Sequence, residues 1–203
     1  LTLEGANIAD EAITFTELDR QSAQIARGLL ARGIGKGSRV GFIQGNSPMF
    51  AVLLAAIARI GAVAVPISTL IKANELVRVL RQSDIAGLFV QRSLLGHDLV
   101  ERLCDALPEL RASRAGKRGA RLAGALRNPA TPYLRWVVSW GPELPSAIST
   151  LDDLTAQADT ITDDLLAAVE AEVHPTDQML EIYTSGSMAL PKGVKHLHGP
   201  VVF

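Results

Sequence analysis

Tyr183-Thr184-Ser185-Gly186-Ser187-Met188-Ala189-Leu190-Pro191-Lys192-Gly193 follows directly on the mostly apolar run Met179-Leu180-Glu181-Ile182. The run reads as a strand, and the stretch after it reads as a loop of small hydroxyl residues and glycines closed by a lysine. Glycine and short side chains let backbone N–H groups converge on an anion, and a lysine adds a point charge for phosphate. The segment therefore predicts a polyphosphate cradle fed by a strand. Its centre, Met188-Ala189, is chemically wrong for that task, because neither residue offers a hydroxyl or a glycine's backbone freedom.

Upstream of this stretch, helix-type and strand-type segments alternate. Thr14-Phe15-Thr16-Glu17-Leu18 opens a helix, with Thr16 as the expected N-cap and Asp19 three positions on. Leu18, Ile25, Ala26, Leu29 and Leu30 supply its apolar stripe, and Gly33 with Gly35 closes it. Arg39-Val40-Gly41-Phe42-Ile43-Gln44 is a short strand. Ser47 caps a second helix with Pro48 in its first position, running to about Ile60. Ala62-Val63-Ala64-Val65-Pro66 is a continuous apolar strand of the kind buried on both faces of a parallel sheet. Helix over residues 74–82, strand over 87–90 and helix over 94–107 repeat the pattern. Tyr133-Leu134-Arg135-Trp136-Val137-Val138 is a further strand, and short helices start at Thr150 and over 163–172. Such alternation predicts an α/β fold with a largely parallel sheet flanked by helices.

Composition bounds the partners. With 203 residues, 48% apolar, 20% charged and a net charge of −1, the chain can bury a full core and carries no basic field for nucleic acid. The single cysteine, Cys104, excludes an internal disulfide and fits a cytoplasmic location. Residues 1–10 lack a cationic start followed by an apolar core, so no secretory signal is expected. The most hydrophobic stretch, residues 50–67, is interrupted by Arg59, Gly61 and Pro66, so no transmembrane segment is expected. Residues 111–132 carry Arg111, Arg114, Lys117, Arg118, Arg121 and Arg127 with no acidic residue. They are expected to form a basic, mobile and solvated segment, the other reading being a surface for an anionic partner.

A Walker site fails on inspection. It needs a second glycine before the lysine and a hydroxyl after it for magnesium, where this chain has Pro191 and Gly193. Instead the segment resembles the loop of the adenylate-forming superfamily of acyl-CoA synthetases, luciferases and peptide-synthetase adenylation domains. That pattern is Tyr-Thr-Ser-Gly-Ser/Thr-Thr-Gly-x-Pro-Lys-Gly-Val with a histidine shortly after. Tyr183 to Ser187 and Pro191 to Val194 match in register, and His198 falls at the histidine. Thr14-Phe15-Thr16-Glu17-Leu18, Gly37-Ser38-Arg39-Val40, Asn46-Ser47-Pro48 and Gly61-Ala62-Val63-Ala64-Val65-Pro66 are similar to the family's upstream landmarks. Arg135-Trp136-Val137-Val138 is similar to a strand of fatty acyl-CoA ligases.

The resemblance implies residues 1–203 as the N-terminal part of an AMP-binding domain, ending just after the phosphate loop. It implies a two-step reaction: a carboxylic, expectedly fatty, acid attacks the α-phosphate of ATP, and a thiol, usually of CoA, then displaces AMP. Carried over, Thr184, Ser185 and Ser187 donate hydroxyl hydrogen bonds to phosphate, Gly186 and Gly193 allow the bend, and Lys192 neutralises charge or locks the loop. Met188 and Ala189 occupy the positions of a threonine and a glycine. A lost charge-assisted hydrogen bond costs roughly 1.5–3 kcal/mol and a left-handed alanine about 1 kcal/mol more. Together these remove about two to three powers of ten in nucleotide affinity or rate. ATP with Mg2+ and CoA are the cofactors implied for the parent enzyme, whose adenine pocket and C-terminal lysine lie further on. The expectation is thus a ligase fragment that is inactive alone, the alternative being a non-catalytic module that keeps the fold. Truncation is expected to expose sheet edges and favour self-association.

The remaining candidates read as structural. His97, His174, His196 and His198 lack metal-ligand spacing. Asp152-Asp153 and Asp163-Asp164 sit at helix starts. Trp136 and Trp140 flank a strand end and are expected to pack. Cys104 is expected to be a buried, inert thiol.

Overall fold

The computed structural model describes residues 2–3, 11–111, 126–184 and 192–202. Near the N-terminus, β1 (Thr2–Leu3) and β2 (Glu11–Ala12) form a small antiparallel pair. The body of the molecule is a seven-stranded sheet in the order β11-β10-β4-β3-β5-β8-β9. Its strands are β3 (Arg39–Ile43), β4 (Val63–Pro66), β5 (Gly87–Gln91), β8 (Trp136–Trp140), β9 (Ser149–Thr150), β10 (Gln178–Thr184) and β11 (Lys192–Leu197). All its pairings are parallel except the antiparallel hairpin of β10 with β11.

The strands bury both faces by simple alternation. Val40, Phe42, Ala64, Phe89 and Val138 point to one core, shared with helices α1 (Phe15–Ala31) and α2 (Pro48–Ala58). Ile43, Val65, Leu88, Val90 and Val137 point to the other, shared with α3 (Ala73–Gln82) and α4 (Leu99–Ala106). The short α5 (Leu151–Thr155) and α6 (Asp163–Ala171) add Leu154 and Leu166 to the first core. A final turn of helix, α7 (His198–Val202), follows β11. Trp136 lies over Gly87, where any Cβ would collide with the indole, and meets Phe89 edge to face at 5.5 Å. The Arg32 guanidinium covers the same indole at 5.1 Å, and burial lowers its pKa to about 10. Cys104 is fully buried, and burial raises its thiol pKa, as an inert packing residue requires.

Several boundaries differ from the sequence expectation, each for a local reason. The cap of α1 is Thr14, not Thr16: its hydroxyl accepts from the Glu17 N–H at 3.1 Å. Thr14-x-x-Glu17 is the spacing that satisfies a first-turn donor. Gly33, at φ 76°, ends the helix while the Ile34 N–H closes back on the Leu29 carbonyl. The helix expected over 94–107 starts only at Leu99. Before it, β6 (Ser93–Leu94) and β7 (His97–Asp98) form a tight hairpin. Leu95 and Gly96 take φ of 48° and 79°, the pair of left-handed residues such a two-residue turn requires. The strand expected from Tyr133 begins at Trp136, because Leu134 closes a turn back on Thr131.

Within the basic segment, residues 112–125 lie outside the described residues. Arg111 is ion-paired with Glu101 and Asp105 of α4, so there the charge serves a neighbouring helix. Arg127 and Arg135 line a surface pocket with Asn128, Pro129 and Pro132.

Candidate active site on the edge hairpin

β10 enters the sheet beside β4 and pairs with it at Leu180↔Ala64. It leaves at Thr184, and the chain returns as β11 from Lys192, so residues 185–191 connect the two strands of one hairpin. The return strand was not anticipated from sequence, since Lys192-Gly193-Val194-Lys195-His196 has the polar composition of an exposed edge rather than of a core strand.

Of the candidate residues, Thr184 and Lys192 are brought together: they are the last cross-strand pair before the connection. Lys192 is exposed and makes no ion pair with any described residue. Ser185, Gly186, Ser187, Met188 and Ala189 lie outside the described residues. Gly193 is placed differently from the expectation. It supplies no bend, being a strand residue of β11 paired with Tyr183. Its missing Cβ matters for another reason: a Cβ there would overlap Glu181 Oε1 and stand 3.1 Å from both Glu181 Cδ and Tyr183 Cζ.

Glu181 is the functional-region residue that the sequence reading passed over. It is buried, at 6% exposure, in the middle of β10. Tyr183 Oη donates to its Oε1 at 2.8 Å, and Gln178 Nε2 donates to its Oε2 at 3.3 Å. Arg39 Nε, reaching from β3 across β4, approaches Oε2 at 3.4 Å. A buried carboxylate is tolerated only with such partners. Burial chiefly raises the Tyr183 phenol pKa; its bond to Glu181 works in the same direction, and the Ser83 hydroxyl opposes it. The signal for this cluster was one acidic residue inside an apolar strand.

The far end of the hairpin is held to the sheet by a second polar knot. Lys36 Nζ pairs with Asp177 at 2.7 Å and donates to the Glu172 carbonyl at 2.7 Å. The N–H groups of His174 and His198 donate to Asp177, and that of Gly199 donates to the Pro175 carbonyl. Lys36, first among the causes, holds the Asp177 carboxyl below its usual range. Burial pushes the His198 pKa down, against Asp177. His198 therefore starts α7, and among the described residues no cluster of His, Cys, Asp or Glu could hold a metal ion.

The AMP-binding enzyme family model matches residues 6–203. The chain belongs to the AMP-binding enzyme family. It is 32% identical over 192 residues to YngI of Bacillus subtilis (strain 168), a protein named as an acyl-CoA synthetase; this covers 93% of the chain and 33% of that protein. Acyl-CoA ligase sidI of Aspergillus fumigatus is 30% identical over 189 residues, covering 93% and 29%. Among solved structures, the anthranilate CoA ligase AuaEII in complex with anthranoyl-AMP shares the fold with a TM-score of 0.70 at 22% identity, covering 92% of the chain and 30% of its own. The Mycobacterium tuberculosis fatty acyl CoA synthetase gives 0.56 at 27% identity over 92% and 29%. The chain spans about a third of the length of the curated relatives it matches. No helix among the described residues is long and apolar enough to cross a membrane.

Proposed function

We propose that this chain carries the phosphate-holding part of an ATP-dependent carboxylate-CoA ligase. One observation supports this reading above the rest. The loop pattern of the family lies between two paired strands, whose last backbone pair is Thr184 with Lys192, in a chain that matches the family along nearly its whole length. A lysine at the end of a loop sequence rich in glycine and small hydroxyl residues suits neutralisation of a polyphosphate. In this reading Thr184, Ser185 and Ser187 donate to the β- and γ-phosphates, Gly186 admits close backbone approach, and Lys192 neutralises charge.

ATP supplies the activated phosphate at which a carboxylate, expectedly of a fatty acid, is adenylated before transfer to CoA. The chain's own contribution is positioning and charge neutralisation, the usual protein share in phosphate chemistry. Magnesium would arrive with the nucleotide, for the described residues offer it no ligand set. The reaction is assigned to a longer protein in the cytoplasm, with this portion inactive alone. Met188 and Ala189 favour a second reading, a non-catalytic module that keeps the fold with a degraded loop.

Calorimetry with Mg-ATP separates the two. A Met188→Thr, Ala189→Gly double variant is expected to gain about 100-fold or more in affinity over the unaltered chain, the size of one lost charged hydrogen bond plus one strained residue. Equal absence of binding by both chains would remove the nucleotide-binding reading of this portion.

A further inference from the structure

We infer that Glu181 is a positioning residue for the strand ends of the β10–β11 hairpin, and that Gly193 lacks a side chain because the Glu181 carboxylate occupies the space. The inference rests on the nucleotide reading above for its functional meaning, and on three features of the hairpin for its substance.

The first is burial without an apolar reason. Glu181 is 6% exposed on a strand whose neighbours are Leu180 and Ile182. An apolar residue would fill the same space without desolvating a charge, so a buried carboxylate with three converging donors points to a demand for specificity. The second is where the donors come from. Arg39 belongs to the sheet interior, Tyr183 stands one residue before the last pair of the hairpin, and Gln178 sits at the hairpin's other end. The carboxylate thus ties the centre of the sheet to both ends of β10.

The third is register. The β10–β11 ladder shifts between Gln178 and Leu180, so its alignment is interrupted next to the Gln178 contact. A slip of one residue would reverse the faces that β10 and β11 match to each other, because side chains alternate along a strand. Glu181 resists such a slip from the inside face. A register in which any residue other than glycine stood opposite Tyr183 would drive a Cβ into Oε1. Lock and gap are complementary: carboxylate on one strand, missing Cβ on the other. The glycine after the loop lysine is therefore read as a register key rather than as a hinge.

The test is a double-variant cycle on the full chain, read by amide hydrogen exchange of β11. Glu181→Ala is expected to speed exchange of the β11 amides about tenfold or more, as the loss of a buried hydrogen-bonded carboxylate implies, with β3 and β5 unchanged. Gly193→Ala should do the same by expelling the carboxylate. In the Glu181→Ala background, Gly193→Ala should add clearly less than it does alone, since the overlap with Oε1 has gone and only the tight approach to Tyr183 Cζ remains. Glu181→Gln keeps the shape and an acceptor for Tyr183, and should restore most of the protection. If Gly193→Ala costs as much with Glu181→Ala as without it, the proposed complementarity is wrong.

A second arm uses the Met188→Thr, Ala189→Gly chain and Mg-ATP. Glu181→Ala should weaken binding about tenfold there, and Glu181→Gln should recover it; binding unchanged within about twofold would overturn the positioning role. Absence of any nucleotide binding by that chain would instead defeat the functional reading, leaving the exchange cycle to decide the register key.

Discussion

The centre of the sheet and its β10–β11 edge are built on opposite principles. In the centre, β3, β4, β5 and β8 bury both faces, and Phe42, Leu88, Phe89 and Val138 are all at most 1% exposed. At the edge, Ile182, Val194 and Leu197 remain 38–44% exposed, and β10 meets its parallel neighbour at one registered pair. Leu180 and Tyr183 pack on the two cores, and polar contacts are added to them: Glu181 with Arg39, Tyr183 and Gln178 at one level, Asp177 with Lys36 at another. Dispersion and burial fix the scaffold, while directional contacts fix the element that carries the loop. Polar contacts constrain angle and register more than they add stability, which suits a strand pair at an open sheet edge.

That contrast can be broken at the centre with the largest effect. Phe89→Ala, which strips an aromatic ring packed on Trp136, should cost about 3–5 kcal/mol and lower the whole chain's denaturation midpoint. A loss below about 1 kcal/mol in urea titration would mean that the centre is less tightly packed than described.

The edge should answer to pH where the centre does not. The folded pKa of His198 is lowered, so its contribution to stability is present above the ordinary value of 6.5 and fades as pH falls below it. The Asp177 carboxyl, held below its usual range first by the Lys36 hydrogen bond, does not titrate in that window. Thermal melts should therefore show destabilisation between pH 7 and 5 in the unaltered chain and a flatter profile for His198→Gln. Parallel profiles would relieve His198 of that role. The smallest expected effect is at the open face: Val194→Lys should change stability by no more than about 0.5 kcal/mol while reducing self-association in light scattering. A monomer at high concentration without the substitution would mean that this face does not associate.

The centre was also the legible part of the sequence. Val63 to Pro66 and Gly87 to Val90 are unbroken apolar runs, and a run of that kind has few places to go except a doubly covered sheet. Helix starts were readable wherever cap and first turn agreed, as at Ser47-Pro48 and Thr150, and misplaced where two threonines competed, as at Thr14 and Thr16. The Ser93–Asp98 hairpin escaped because a leucine rarely advertises a left-handed turn. In the candidate site, the loop pattern was legible as a mark of the family, but its support was not. β11 has no apolar alternation to announce it, and Glu181 acquires meaning only beside Arg39, a partner far away in the sequence and two strands distant in the sheet.

One consequence follows from the antiparallel pairing of β10 with β11. Both strands come from adjacent sequence, so the frame around residues 185–191 closes on itself without waiting for distant chain to arrive. Replacements inside that frame act on a locally assembled unit at the rim, and the scaffold behind it need not notice them. Such insulation gives an evolving lineage room to vary the connecting sequence while inheriting the architecture intact.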